Sequence, residues 1–166
     1  MIHSDEGLSQ RLTSTPSIFL AGPSPRGYGD GFPADWRDKA FELFKEMGYD
    51  GRLFVPRPTS GNSSDYDGQI EWELHHLDLA DIIMFWVPRD LAVLPAFTTN
   101  VELGLYVKSG RAVYGRPVEA PKNRYLDHIY KKYTGREPFD NLVDTIADSI
   151  LRARASVAAL KPLDRP

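Results

Sequence analysis

Ile82-Ile83-Met84-Phe85-Trp86-Val87 is the most apolar run in the chain, and its reading decides the fold. Apolar and polar residues do not alternate along it, as they would in a strand with one wet face. Bounded by Ala80-Asp81 and Pro88, it is also too short for a helix. It predicts a strand buried on both faces, inside a parallel sheet covered by helices. Upstream, residues 67–80 read as a helix opened by Asp67. Before it, Arg52-Leu53-Phe54-Val55 is a strand ended by Pro56 and Pro58. Earlier still, Asp35 is placed to cap a helix from Trp36 to Met47, with Ala40, Phe41, Phe44 and Met47 inward and Gly48 past its end. Ser17-Ile18-Phe19-Leu20-Ala21 is a buried strand stopped by Gly22-Pro23. Downstream come an irregular loop at 88–97, a helix from Thr99 to Ser109, a strand Ala112-Val113-Tyr114, and helices near 122–133 and 139–160. A weak fifth strand is expected near 134–138, and residues 1–16 as a flexible tail. The alternation predicts an α/β three-layer sandwich with a mostly parallel sheet of four to five strands, in one domain spanning 17–160.

Composition narrows the function. The chain has 166 residues, 42% of them apolar, which suits a single substantial core. Twenty basic against 23 acidic residues leave a formal charge of -3. That balance excludes a disordered chain and speaks against a partner that is a nucleic acid polymer. With no cysteine, disulfides, thiol nucleophiles and cysteine-held metals are excluded. No apolar run approaches membrane-spanning length, and a soluble, cytoplasmic protein is expected.

In a parallel sheet, ligands bind beyond the carboxyl ends of the strands, where the strand order reverses. If the first and third predicted strands flank that point, loops 22–33 and 88–98 meet there. The following helix begins Thr98-Thr99-Asn100-Val101-Glu102-Leu103-Gly104. Its apolar residues point in almost every direction of the wheel, which predicts a buried helix and a shielded Glu102. Such a carboxylate, near a helix N-terminus, is a candidate nucleophile. A plainer reading stands beside it: Thr99-x-x-Glu102 is also a capping box. Gly104 is costly inside a helix, and close approach of something bulky would explain it.

In the helix over 67–80, Ile70, Leu74 and Leu77 define the expected core face. Glu71, His75 and Asp78 lie opposite, and Glu73 sits at the apolar edge. Glu73 is therefore the candidate proton donor, its pKa raised by partial burial. The plainer reading is a boundary glutamate bonded to Gln69 or an arginine. His75-His76 face different directions, which is wrong for a helical metal pair, so no metal is expected. In the loop after the first strand, Gly22, Ser24, Arg26 and backbone N–H groups are candidates for holding a sugar hydroxyl or phosphate.

These residues carry a family resemblance. Phe19-Leu20-Ala21-Gly22-Pro23, Gln69-Ile70-Glu71-Trp72-Glu73, Ala80-Asp81 with the apolar run through Pro88, and above all Thr99-Asn100-Val101-Glu102-Leu103-Gly104 resemble the nucleoside 2-deoxyribosyltransferase family. Tyr114-Gly115-Arg116-Pro117 and Tyr125-Leu126-Asp127 resemble a branch of it. The resemblance implies a flavodoxin-like fold and double-displacement transfer of deoxyribose between nucleobases. It implies Glu102 as nucleophile and Glu73, eight positions before Asp81, as the acid near the base. Nucleosides and free bases are the implied partners, with no cofactor, and the implied assembly is a homo-oligomer with sites near subunit interfaces. Phe19, Phe97 and Trp86 are expected to exclude water or stack on the base. Asn100 and Asn123 are expected at the substrate, Asn123 across an interface. Phe19 stands where many members carry a tyrosine touching the nucleophile, and Tyr28 or Tyr106 is the candidate replacement. Two other readings stay open: an N-glycoside hydrolase of nucleosides or nucleoside 5′-monophosphates, and a non-catalytic nucleotide-binding module.

Overall fold

The computed structural model describes residues 1–4, 6–10, 12, 14–25, 33–57 and 66–160. Five parallel strands make one sheet: β1 (Ile2–His3), β2 (Ser17–Ala21), β3 (Arg52–Val55), β4 (Ile82–Trp86) and β5 (Ala112–Gly115), in the order β1-β3-β2-β4-β5. The helices are α1 (Trp36–Glu46), α2 (Tyr66–Leu79), α3 (Phe97–Tyr106), α4 (Arg124–Thr134) and α5 (Leu142–Leu160), with a 3-10 turn, Val107–Ser109, after α3. Every residue of β2 and β4 is buried. Both are covered on two sides, as their unbroken apolar sequences require. Phe19, Phe54, Ile83 and Phe85 pack with residues of α2, α3 and α4 on one face. Ile18, Leu20, Met84 and Trp86 pack with α1 and α5 on the other. The order is flavodoxin-like, and the chain leaves β2 in opposite directions on its two sides. The crevice of that reversal opens at the carboxyl end of β2.

Three expectations need correcting. The fifth strand is not at 134–138, where the pairing among described residues is a single bridge from Gly115 to Phe139. It comes from the expected tail, where Ile2 pairs with Phe54 and His3 with Val55. The tail is tied to α2 as well. Trp72 Nε1 donates to the Glu6 carbonyl at 3.0 Å, and His75 Nε2 lies 2.8 Å from the Ser9 carbonyl. His76 Nδ1 is 2.8 Å from the Trp72 carbonyl, which leaves Nε2 to accept from Ser9 N–H at 3.3 Å. The second correction concerns the inner face of α2, which is Trp72, His76 and Leu77. Ile70 and Leu74 are exposed. Trp72 stacks on His76 with centroids 3.9 Å apart and lies against Phe19, so the bulkiest rings, not the aliphatic spacing, set the helix's rotation. Third, α3 is not buried all round: only Thr99 and Leu103 are buried, while Phe97, Val101 and Leu105 face outward.

Candidate active site

The loop after β2 is held from beneath by one side chain. Asp35 caps α1 by accepting from Arg37 N–H, and the Arg37 side chain is wholly buried. Its guanidinium donates to the carbonyls of Leu20 (3.2 Å), Gly22 (2.7 Å) and Pro23 (3.5 Å), and to Ser24 Oγ (3.2 Å). Asp35 balances its charge at 3.3 Å and also pairs with Arg57 at 2.8 Å. A buried guanidinium is tolerable only when so fully bonded, and here the bonds fix the path of residues 20–24. Gly22 is required by close approach. A Cβ there would strike the Trp86 carbonyl and lie 2.8 Å from the Trp36 indole.

Above this loop opens a cleft of about 460 Å³, which falls in the range that holds small ligands. Gly22 and Ser24 line it from the loop after β2, and Pro56 from just past β3. Gln69, Ile70, Glu73 and Leu74 line it from α2, and Thr98, Val101 and Glu102 from α3. Its walls are mostly apolar and its two carboxyls face one space. The outward turn of Ile70 and Leu74 is thereby explained, since α2 has a second apolar side that serves the cleft.

Helix α3 begins two residues earlier than Thr99. Ala96, in a left-handed conformation (φ 61°), is the N-cap and contributes no side-chain hydrogen bond. Thr99 is therefore inside the helix and buried, and the capping box does not form. Glu102 accepts no hydrogen bond from any described residue. Its carboxyl is pushed up to about 7, first by burial and then by the charge of Glu73, against a lowering by Arg37. Burial also raises Glu73, opposed by a hydrogen bond from Gln69 Nε2 (2.8 Å) and by Arg37. Glu73 thus has the expected Gln69 partner and still lines the cleft. The charge of Glu73 thus reaches Glu102 across the cleft that both line.

Of the other expected residues, Gly22 and Ser24 line the cleft, although Ser24 Oγ already accepts from Arg37. Arg26 and Tyr28 lie outside the described residues. Phe19 is a core residue packed on Trp72, beneath the site rather than in it. Trp86 lies on the other face of the sheet. Phe97 is exposed at the start of α3, away from the cleft lining. Tyr106 donates its hydroxyl to Asp78 at 2.8 Å. It is occupied there and does not replace the missing tyrosine. Asn123 is buried and accepts from Arg89 Nε at 3.0 Å, while Asn100 Oδ1 accepts from Arg89 Nη2 at 2.5 Å. Both asparagines belong to a brace between α3 and the loop before α4, not to this cleft. His75 and His76 bind the N-terminal segment, and no group of three or more potential ligands could hold a metal among the described residues. Sequence reading missed Arg37 altogether. Its one signal was helical phase, since positions 37, 40 and 44 share a face.

A family model described as nucleoside 2-deoxyribosyltransferase like matches residues 15–119, more than half of the chain. The chain belongs to the nucleoside 2-deoxyribosyltransferase-like family. The matched stretch runs from the residues before β2 past β5 and contains Glu73, Glu102 and Arg37, so the family's likeness and the cleft coincide. Helices α4 and α5 and strand β1 lie outside it. Among curated proteins, none matches the chain.

Proposed function

We propose that this nucleoside 2-deoxyribosyltransferase-like protein moves the 2-deoxyribosyl group of a 2′-deoxynucleoside from one nucleobase to another. The observation that carries the reading is the Glu102 carboxyl, unbonded and shielded in an apolar cleft beside Glu73. With its carboxyl pushed up to about 7, Glu102 is about half protonated at neutral pH, and burial favours the acid form of Glu73 as well. Substrate shifts that balance. Positive charge growing at C1′ favours ionised Glu102, whose carboxylate attacks C1′ as the bond to the base breaks. The proton passes by way of Glu73, directly or through water, to the departing base. A glycosyl–Glu102 ester remains. An incoming base gives up its N–H proton to Glu73, directly or through water, as its nitrogen attacks C1′ from the opposite side, which releases the Glu102 carboxylate and gives net retention.

The ester must be kept from water. Phe97, Val101 and Leu105 form an outward stripe one helical turn apart, 69%, 63% and 64% exposed. Tyr66, Ile70 and Leu74 form another on α2, flanking the cleft. These uncovered faces support a second copy of the chain as the cover.

The test is incubation with deoxyinosine, with and without adenine. Transfer yields deoxyadenosine only when adenine is present. Free sugar at equal rates in both arms would establish hydrolysis instead. Deoxynucleotides run in parallel decide whether a 5′-phosphate is wanted. Unchanged turnover in Glu102→Gln would sink the nucleophile assignment, and a sugar adduct on the peptide containing Glu102 would support it.

A further inference from the structure

A second cleft, of about 360 Å³, lies on the other side of α3, between that helix and α4. We propose that it binds a nucleotide-like ligand, a planar heteroaromatic ring carrying a phosphate, at a site separate from the Glu102 cleft. Lys108 and Lys122 line it and no carboxylate does, in a chain whose net charge is -3. Neither lysine has an ion-pair partner among the described residues. Lys108 Nζ instead lies 4.5 Å from the centre of the Tyr133 ring. An ammonium held on an aromatic face keeps its charge unneutralised and available to an anion. Lys122 sits in a left-handed conformation (φ 57°), an uncommon and strained geometry for a non-glycine residue that the surrounding loop must hold in place.

Aromatic and polar groups complete the site. Tyr125, 74% exposed, offers a ring face to a flat ligand, while the Tyr133 ring is taken by Lys108, with Lys132 Nζ also 5.4 Å from its centre. Asn100 is pre-oriented, because Arg89, itself bonded to Asn123 and the Pro95 carbonyl, takes its Oδ1. The Asn100 amide N–H₂ is left without a partner among the described residues, as a donor for a ring or sugar acceptor. Gly104 lines the same wall. Nothing lies within 4 Å of where its Cβ would be, so no atom of the described residues requires glycine in mid-helix, where it is less favourable than alanine. The clearance it leaves opens onto this cleft.

The experiment is calorimetric titration of the whole chain with adenosine 5′-monophosphate, and separately with adenosine and with inorganic phosphate. The monophosphate is expected to bind more tightly than either half, and more weakly as salt rises. Lys108→Glu/Lys122→Glu is expected to weaken it at least tenfold. Gly104→Leu fills the cleft while favouring the helix, so it should abolish binding and raise Tm, which separates lost binding from lost folding. Glu102→Gln and Glu73→Gln should bind as the wild type does. Absence of binding to the wild type, wild-type affinity in both the Gly104→Leu and double-lysine variants, or phosphate binding as tightly as the nucleotide would each overturn the proposal. So would loss of binding in the glutamate variants alone, which would put the nucleotide in the Glu102 cleft. The readout needs no turnover and is independent of the proposed reaction.

Discussion

At pH 8 the Glu102 carboxylate is charged in a place that favours its neutral form. Its ordinary value is 4.5 and its folded value about 7. A pKa raised on folding means the acid form is the stabilising one. That contribution is full below the ordinary value and is lost as pH rises through about 7, amounting to as much as about 3 kcal/mol. Glu102→Gln should therefore raise Tm by several degrees at pH 8 and little at pH 5, read by thermal unfolding, while turnover falls by orders of magnitude. A capping glutamate would give the reverse on stability. The two carboxyls also set the rate profile of the proposed reaction. Because the proposed reaction wants one proton on the pair, kcat/KM should be bell-shaped, with its alkaline limb near 7. In Glu73→Gln, slower overall, Glu102 loses a repelling charge and its pKa falls in part while burial still holds it up; with no shared proton to lose, the rate should rise as Glu102 ionises and show no decline above 7. A wild-type bell surviving intact in that variant would refute the pairing.

Elements carry the next level. The loop after β2 is shaped by Gly22 and Arg37, and Gly22→Ala tests it. The added methyl meets backbone at Trp86 and the Trp36 ring, so a loss of about 2 kcal/mol is expected in chemical denaturation, together with a raised KM. The elements were largely legible in the sequence. β3 lies where its four residues predicted, and α1 begins at Trp36 behind its Asp35 cap. The faces of the helices were less so. Periodicity assumes one apolar side per helix, yet α2 has two: Trp72, His76 and Leu77 toward the sheet, Ile70 and Leu74 toward the cleft. Helix α3 started early because Ala96 takes a left-handed turn that alanine composition does not announce. Glu73 was singled out by its place at an apolar edge and Glu102 by a helix expected to be apolar all round; both line the cleft, although that premise for Glu102 did not hold. Arg37 was not, because its partners are backbone carbonyls that sequence does not display.

The whole molecule shows the same division. The parallel sheet followed from the alternation of strands and helices and its order from the family resemblance, whereas β1 escaped because two residues in a polar stretch carry no period. Assembly is the open property. If the stripes on α2 and α3 are covered by a second copy, the wild type should sediment at a multiple of 18.7 kDa. Val101→Glu should then sediment as a monomer and, if that cover shields the ester, release more free sugar per transfer. The N-terminal segment closes the far side of the sheet, and its fastening has a consequence of its own. His76 is buried against Trp72, Phe54 and His75, with Arg52 nearby, and burial first, helped by the neighbouring His75 and Arg52 and opposed by the hydrogen bond to the Trp72 carbonyl, holds its pKa below the usual 6.5. Its neutral ring is what accepts from Ser9, so this support is full above 6.5 and fades as pH falls through the lowered value. On acidification the first ten residues should detach before the sheet opens. A protease active in mild acid would then trim the amino end and leave a resistant body, and Trp72, stripped of its cover, would shift its fluorescence to the red ahead of global melting.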